Sequence, residues 1–145
     1  MHARSHWQTW RRLTGWTRFG VAFGSLAAPA ASLVVRTVPF KFYRFLTSGN
    51  GGRHVDKRAH DIARGLTLAA RRSPADVRCL AESLAVTVVL RVMGYNSRIV
   101  VGVLRPDESF GAHAWVEINE VIVGNHLATT RGFRRLDLVE RPWRV

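Results

Sequence analysis

The chain has 145 residues, room for one domain, and a domain of about this size buries roughly two thirds of the surface its unfolded chain exposes. An apolar fraction of 47% with ten scattered acidic residues excludes a disordered polyelectrolyte, and a single cysteine with six dispersed histidines excludes an internal disulfide and a structural zinc spacing. The net charge of +12 comes almost wholly from arginine, since only Lys41 and Lys57 are lysines; such a bias suits an anionic partner (nucleic acid, acidic lipid or an acidic protein surface), although an arginine-favouring codon usage gives the same excess without one.

No acidic residue occurs before Asp56, while basic residues recur from Arg4 to Arg53. Within this stretch the seventeen residues from Phe19 to Val35 are uncharged and contain the small-residue run Ala27-Ala28-Pro29-Ala30-Ala31, a pattern shared with signal peptides and short membrane spans. The run is at the lower limit for spanning, is interrupted by Gly, Ser and Pro29, and is followed by renewed apolar periodicity, so one or two amphipathic helices are expected instead. Val34, Val35, Val38, Phe42 and Phe45 fall on one stripe of such a helix, with Arg36 and Arg44 off it. That stripe can pack on a core or a partner, or lie on an anionic membrane surface. Residues 47–52 (Thr-Ser-Gly-Asn-Gly-Gly) read as a flexible linker, which divides the chain into an N-terminal helical region, 1–52, and a core, 53–145.

Residues 55–72 form a second helical pattern, with Val55, Ala59, Ile62, Ala63, Leu66, Leu68 and Ala69 apolar between charged positions. Ser73-Pro74 breaks it, and either Ser73 or Asp76 can cap the helix that follows. With Asp76 as cap, Cys79 lies in the first turn, where the helix dipole and free amides favour a thiolate. That helix carries Leu80, Leu84, Ala85, Val88 and Val92 as its core residues and stops at Gly94, a left-handed C-cap. A lone thiol here is either a small buried hydrophobe or a nucleophile.

Beyond Gly94 the period changes to two. Ile99, Val101 and Val103 share one face of a strand that ends before Arg105, and residues 106–109 turn. The next strand, 110–118, places Phe110, Ala112, Ala114, Val116 and Ile118 on one face and Gly111, His113, Trp115 and Glu117 on the other, and Asn119-Glu120 turns it back into Val121-Ile122-Val123. A cysteine-bearing helix followed by an antiparallel meander is an α+β order.

The run Cys79-Leu80-Ala81-Glu82-Ser83-Leu84-Ala85, then Gly94, then His113-Ala114-Trp115-Val116-Glu117, resembles the transglutaminase-like B2 proteins of lasso-peptide biosynthesis, the leader peptidases. Arg36, Pro39 and Phe40, and Ala69-Ala70-Arg71-Arg72 before the cysteine, are similar as well, so the likeness covers about residues 33–126. It implies a transglutaminase-like, papain-like core in which a nucleophile helix packs on a small antiparallel sheet behind N-terminal helices. Cys79 would be the nucleophile and His113 the general base, as a thiol attacking a peptide carbonyl requires. His54, His60 and His126 are weaker candidates for the base. The family's third residue, an Asp twelve positions after the His, is replaced here by Asn125, which can orient an imidazole through its carbonyl oxygen but adds no charge, and which otherwise reads as a turn residue in Gly124-Asn125. Glu117 is a substitute orienter or a solvated or Arg-paired strand residue, and Trp115 is a wall of the site or simply packing.

The resemblance further implies removal of the leader from a ribosomally made precursor peptide, followed by ring closure by an ATP-dependent macrolactam cyclase, with no metal and no other cofactor. Its members act in the cytoplasm with a leader-binding protein; 145 residues that begin with helices leave no room for a fused one, so a separate protein is expected. No helix-turn-helix or RNP-type signature accompanies the basic residues, so nucleic acid is not expected. Membrane association through the N-terminal helices, a non-catalytic module of the same fold holding an anionic partner, and an acyl transferase using the same thioester remain alternative readings.

Overall fold

The computed structural model describes residues 13–39, 46, 51–73, 79–104, 111–124, 130 and 132–136. Three helices, α1 (Gly15–Thr37), α2 (Lys57–Arg72) and α3 (Cys79–Val92), precede an antiparallel sheet of β1 (Ser97–Val103), β2 (Ala112–Ile118), β3 (Val121–Ile122) and β4 (Arg134–Arg135) in the order β3-β2-β1-β4. This is the expected α+β arrangement.

Among the described residues of the N-terminal region α1 is the one α-helix, and its polarity is inverted. The Thr14 hydroxyl accepts from the Thr17 amide to cap α1, and donates to Asp61 on α2 at 2.8 Å. The buried residues of α1 are mostly small: Thr17, Gly20, Val21, Gly24, Ala28, Ala31 and Ser32. They let the backbones of α1 and α2 approach closely, so that a Cβ on Gly20 would lie 2.5 Å from the Ile62 carbonyl oxygen, and one on Gly65 would meet the Thr17 carbonyl. The helix runs through Pro29, which leaves its interior short of one amide donor. It ends at Thr37 rather than continuing through Phe45. Pro39 is the reason: the residue before a proline is pushed out of the α region, and Val38 is extended, with φ −107° and ψ 124°. Val38 and Val35 still pack into the core, whereas Val34 is exposed; Phe42 and Phe45 lie outside the described residues. By length and composition alone α1 could cross a membrane, but its inner face is engaged by α2 and α3.

Asp56 starts α2, its carboxylate accepting from the Ala59 amide at 2.8 Å. The same carboxylate accepts the Tyr95 hydroxyl at 3.0 Å, so one residue joins the start of α2 to the end of α3. The helix stops at Ser73, which is its C-cap; Pro74 and Asp76 lie outside the described residues.

The described span of α3 begins at Cys79, and its first three turns are buried on nearly all sides. Its first half belongs to a cluster of Ala81, Leu84 and Ala85 with Ala31, Leu46, Ile99 and Ala114. Its second half contributes Val86, Val89 and Leu90 to a cluster with Ile62, Leu66, Val116 and Ile118. Val88 and Val92, expected in the core, are exposed, because the buried side of the last turns is the one facing α2 and the sheet. Gly94 ends the helix as expected, at φ +84°: its amide donates to the Arg91 carbonyl and the Tyr95 amide to the Leu90 carbonyl, the paired bonds of a Schellman cap.

In the sheet, Ile99 pairs with Val116, Val101 with Ala114 and Gly102 with His113. Asn119 and Glu120, both at positive φ (48° and 69°), form the two-residue turn into β3. The short β4, pairing Arg134 and Arg135 with Val103 and Gly102, has no periodic signal in the sequence.

Candidate active site

The two core clusters orient α3 along β2. The Cys79 end packs with Ala114, and the Leu90 end packs with Val116 and Ile118. Cys79 therefore sits at the end of β2 that carries His113. Its thiol is free and half-buried, packed against the cluster of Ala81, Ile99 and Ala114.

Strand alternation turns Ala114, Val116 and Ile118 toward α3 and His113, Trp115 and Glu117 toward the other face. Both faces of this strand are buried from Ala114 onward. On the second face the His113 ring lies 6.3 Å from Trp115 in a stacked arrangement and 5.5 Å from Phe133. Trp115 is fixed in turn: its indole N–H donates to a Glu117 carboxylate oxygen at 2.9 Å. Glu117 is 0% exposed and also accepts from Arg98 at 3.2 Å and Arg135 at 2.6 Å. A buried carboxylate is costly unless paired, and two guanidinium groups supply the pairing here. Of the expected alternatives Glu117 is thus the Arg-paired strand residue rather than a solvated one, and it holds Trp115. Trp115 forms the floor under the imidazole.

Gly102, opposite His113 on β1, makes room for that floor. A Cβ there would stand 2.7 Å from the Trp115 ring and 3.0 Å from the Arg134 carbonyl. Neither Gly102 nor Phe133, Arg98 and Arg135 was expected at the site. A glycine inside a strand pattern is the one available sequence signal, since it marks a close approach; the arginines come from segments whose pairing only the fold sets.

The other sequence-derived candidates fall apart from this end. His54 is bonded to Asn119 at 2.9 Å, beyond the opposite end of β2, and His60 is on α2. Asn125 and His126 lie outside the described residues; the described chain stops just before them at Gly124, which is left-handed at φ +85°. Among the described residues no group of three or more His, Cys, Asp or Glu is placed to hold a metal ion.

An α+β domain with a thiol at the first described residue of its central helix, packed against the strand of a supported histidine, has the form of the thiol-dependent acyl-transfer folds. Residues 27–137 match the family described as the transglutaminase-like superfamily, and the chain belongs to it. Comparisons with curated proteins and with solved structures gave no significant match. Membership makes the fold that of cysteine peptidases and acyltransferase-type modules.

Proposed function

We propose that this chain is a cysteine peptidase that removes the leader from a lasso-peptide precursor, with Cys79 as nucleophile, His113 as general base and Asn125 as the residue that orients it. The observation that carries the reading is the placement of the Cys79 end of α3 at the His113 end of β2, in a chain of the transglutaminase-like superfamily. The finer assignment to leader removal rests on the Cys79-Leu80-Ala81-Glu82-Ser83-Leu84-Ala85 and His113-Ala114-Trp115-Val116-Glu117 runs.

In this mechanism His113 takes the thiol proton, and the thiolate attacks the scissile carbonyl. The charge that develops on the carbonyl oxygen is met by the Cys79 amide at the helix start. His113 then returns the proton to the leaving amine, the core peptide's new amino terminus. Water, deprotonated by the same imidazole, hydrolyses the thioester to free leader and restores the thiol. The imidazole must come within hydrogen-bond reach of the thiol, and since β2 turns His113 to the face away from α3, it would reach Cys79 around the Ala112 end of the strand. A separate leader-binding protein would present the cleavage site, and the ATP-dependent cyclase would take the product.

The test is incubation of the chain with a lasso-type precursor and its leader-binding protein, followed by mass spectrometry. Free leader and core peptide are expected, and Cys79→Ala should abolish both while the fold is kept, because a small side chain remains in its place. Processing by Cys79→Ala would overturn the peptidase reading. A leader joined to an added amine would mark an acyl transferase instead, since the two reactions differ only in what attacks the thioester.

A further inference from the structure

We infer that α1 docks this protein in the plane of an anionic membrane surface, through a stripe that the peptidase reading does not use. Trp16, Phe19, Phe23, Leu26, Leu33 and Val34 are 38–77% exposed, and they recur at steps of three, four and seven, with Ala30 between. They form one face about 100° wide. At about 1.5 Å per residue this face is roughly 25 Å long. Apart from the Trp16 indole its polar side chain is Thr37 at the C-terminal end, whose hydroxyl donates to the Leu33 carbonyl at 2.8 Å. Isolated exposed apolar residues are ordinary, whereas a continuous stripe of large ones marks an interaction surface.

The charge around the stripe selects the partner. Arg18 and Arg36 are exposed near the two ends of α1, and the Arg58 guanidinium stacks over the Trp16 ring at 3.5 Å. No acidic residue occurs anywhere before Asp56, and the net charge is +12. A long apolar face flanked on α1 itself by arginine alone, with a tryptophan at its end and the neighbouring Asp61 of α2 tied to the Thr14 cap, is the pattern of an interfacial helix on acidic lipid. A protein groove of ordinary polarity would call for hydrogen-bonding side chains along the stripe, and between Trp16 and Thr37 at its two ends there are none. The opposite face decides the orientation. Gly20, Gly24, Ala28 and Ala31 are buried in the fold, and the Gly20–Gly65 approach leaves no slack between α1 and α2. For α1 to span a bilayer it would have to leave α2, so it lies flat with the domain above it.

The test is co-sedimentation of the full chain with vesicles of phosphatidylcholine alone and of phosphatidylcholine mixed with phosphatidylglycerol. Binding to the anionic vesicles is expected, at least about tenfold tighter than to the neutral ones and weakened by salt. The variant Phe19→Gln/Phe23→Gln/Leu26→Gln changes only exposed positions and keeps helix-forming residues. It should lose binding at least about tenfold while its circular dichroism and cleavage of precursor in free solution stay unchanged. Equal binding to both vesicle types, no binding to either, or equal binding by the variant would overturn the inference. So would resistance of the bound chain to alkaline carbonate, which would show a spanning helix, and so would protection of the stripe by a leader-binding protein without any vesicle binding.

Discussion

At His113 the structure adds a support that begins two residues away and ends on a different strand. Imidazole rests on indole, indole donates to Glu117, and Glu117 is held by Arg98 and Arg135. Gly102 is the position most sensitive to change in this stack, because any side chain there meets both the Trp115 ring and the Arg134 backbone. Gly102→Ala is expected to destabilise the domain by about 1–3 kcal/mol through overpacking. It should also lower kcat more than it raises KM, since the displaced floor supports the proposed base, His113, rather than the substrate. Denaturant unfolding and steady-state kinetics together check this; a loss of stability with unchanged kcat would separate Trp115 from the site. For Asn125 the expectation is graded. Asn125→Ala should slow turnover well short of the loss at Cys79, whereas Asn125→Asp should retain or raise it, because a carboxylate adds charge stabilisation of the imidazolium to the same orientation. Measured rates of the two variants decide whether the third residue of the site is at this position.

At the scale of elements α1 and α2 approach each other closely, and the approach depends on residues with no side chain. Gly65→Ala drives a Cβ into the Thr17 carbonyl, which is backbone and cannot rotate away. The two helices must separate, and stability should fall by about 1–3 kcal/mol, with α1 loosened before α3. Hydrogen exchange checks the order: faster exchange in residues 15–37 with α3 still protected is the expected result, and uniform change would mean that the helices unfold as one unit. The inverted face of α1 has the same origin. Once glycine and alanine are used to bring two backbones together, the bulky residues of that helix can only be on the outside.

At the scale of the whole molecule, ten acidic residues face 22 basic ones, so the few carboxylates that tie elements together matter disproportionately. Asp56 is one of these, joining the start of α2 to Tyr95 behind α3. Its bond from the Ala59 amide, aided by the Tyr95 hydroxyl and by Arg53 and Arg58, holds its pKa below the usual carboxylate value. Burial and the neighbouring carboxylate raise the Tyr95 phenol, which keeps it as the donor. A carboxyl whose folded pKa is lowered contributes stability that is fully present above its unfolded pKa, about 4, and is lost as pH falls through the folded value. Thermal unfolding between neutral pH and about pH 3 should therefore show stability falling below about pH 4, on top of the growing positive charge. Asp56→Asn keeps a capping side chain and removes the titration, so it should flatten that acid limb while costing little at neutral pH. An unchanged acid limb would place the pH dependence in other carboxylates.

Period and punctuation in the sequence were enough to determine most of the elements: α2 from its apolar spacing, the end of α3 from Gly94, β1 and β2 from alternation, and the turn from Asn119-Glu120. These are local signals, since each depends on residues within a few positions of one another. The two runs around Cys79 and His113 likewise marked the candidate nucleophile and base without a structure. The end of α1 at Pro39 was legible too, but apolar periodicity beyond it pointed the other way, and the local restriction on Val38 won. Only tertiary structure decided which face of α1 is buried, because burial followed from the fit of glycine against glycine on α2 and not from hydrophobicity. Only tertiary structure could bring Arg98, Arg135, Phe133 and Gly102 around Trp115, since those residues come from β1 and the β4 segment, whose register against β2 and each other is set by pairing across the sheet.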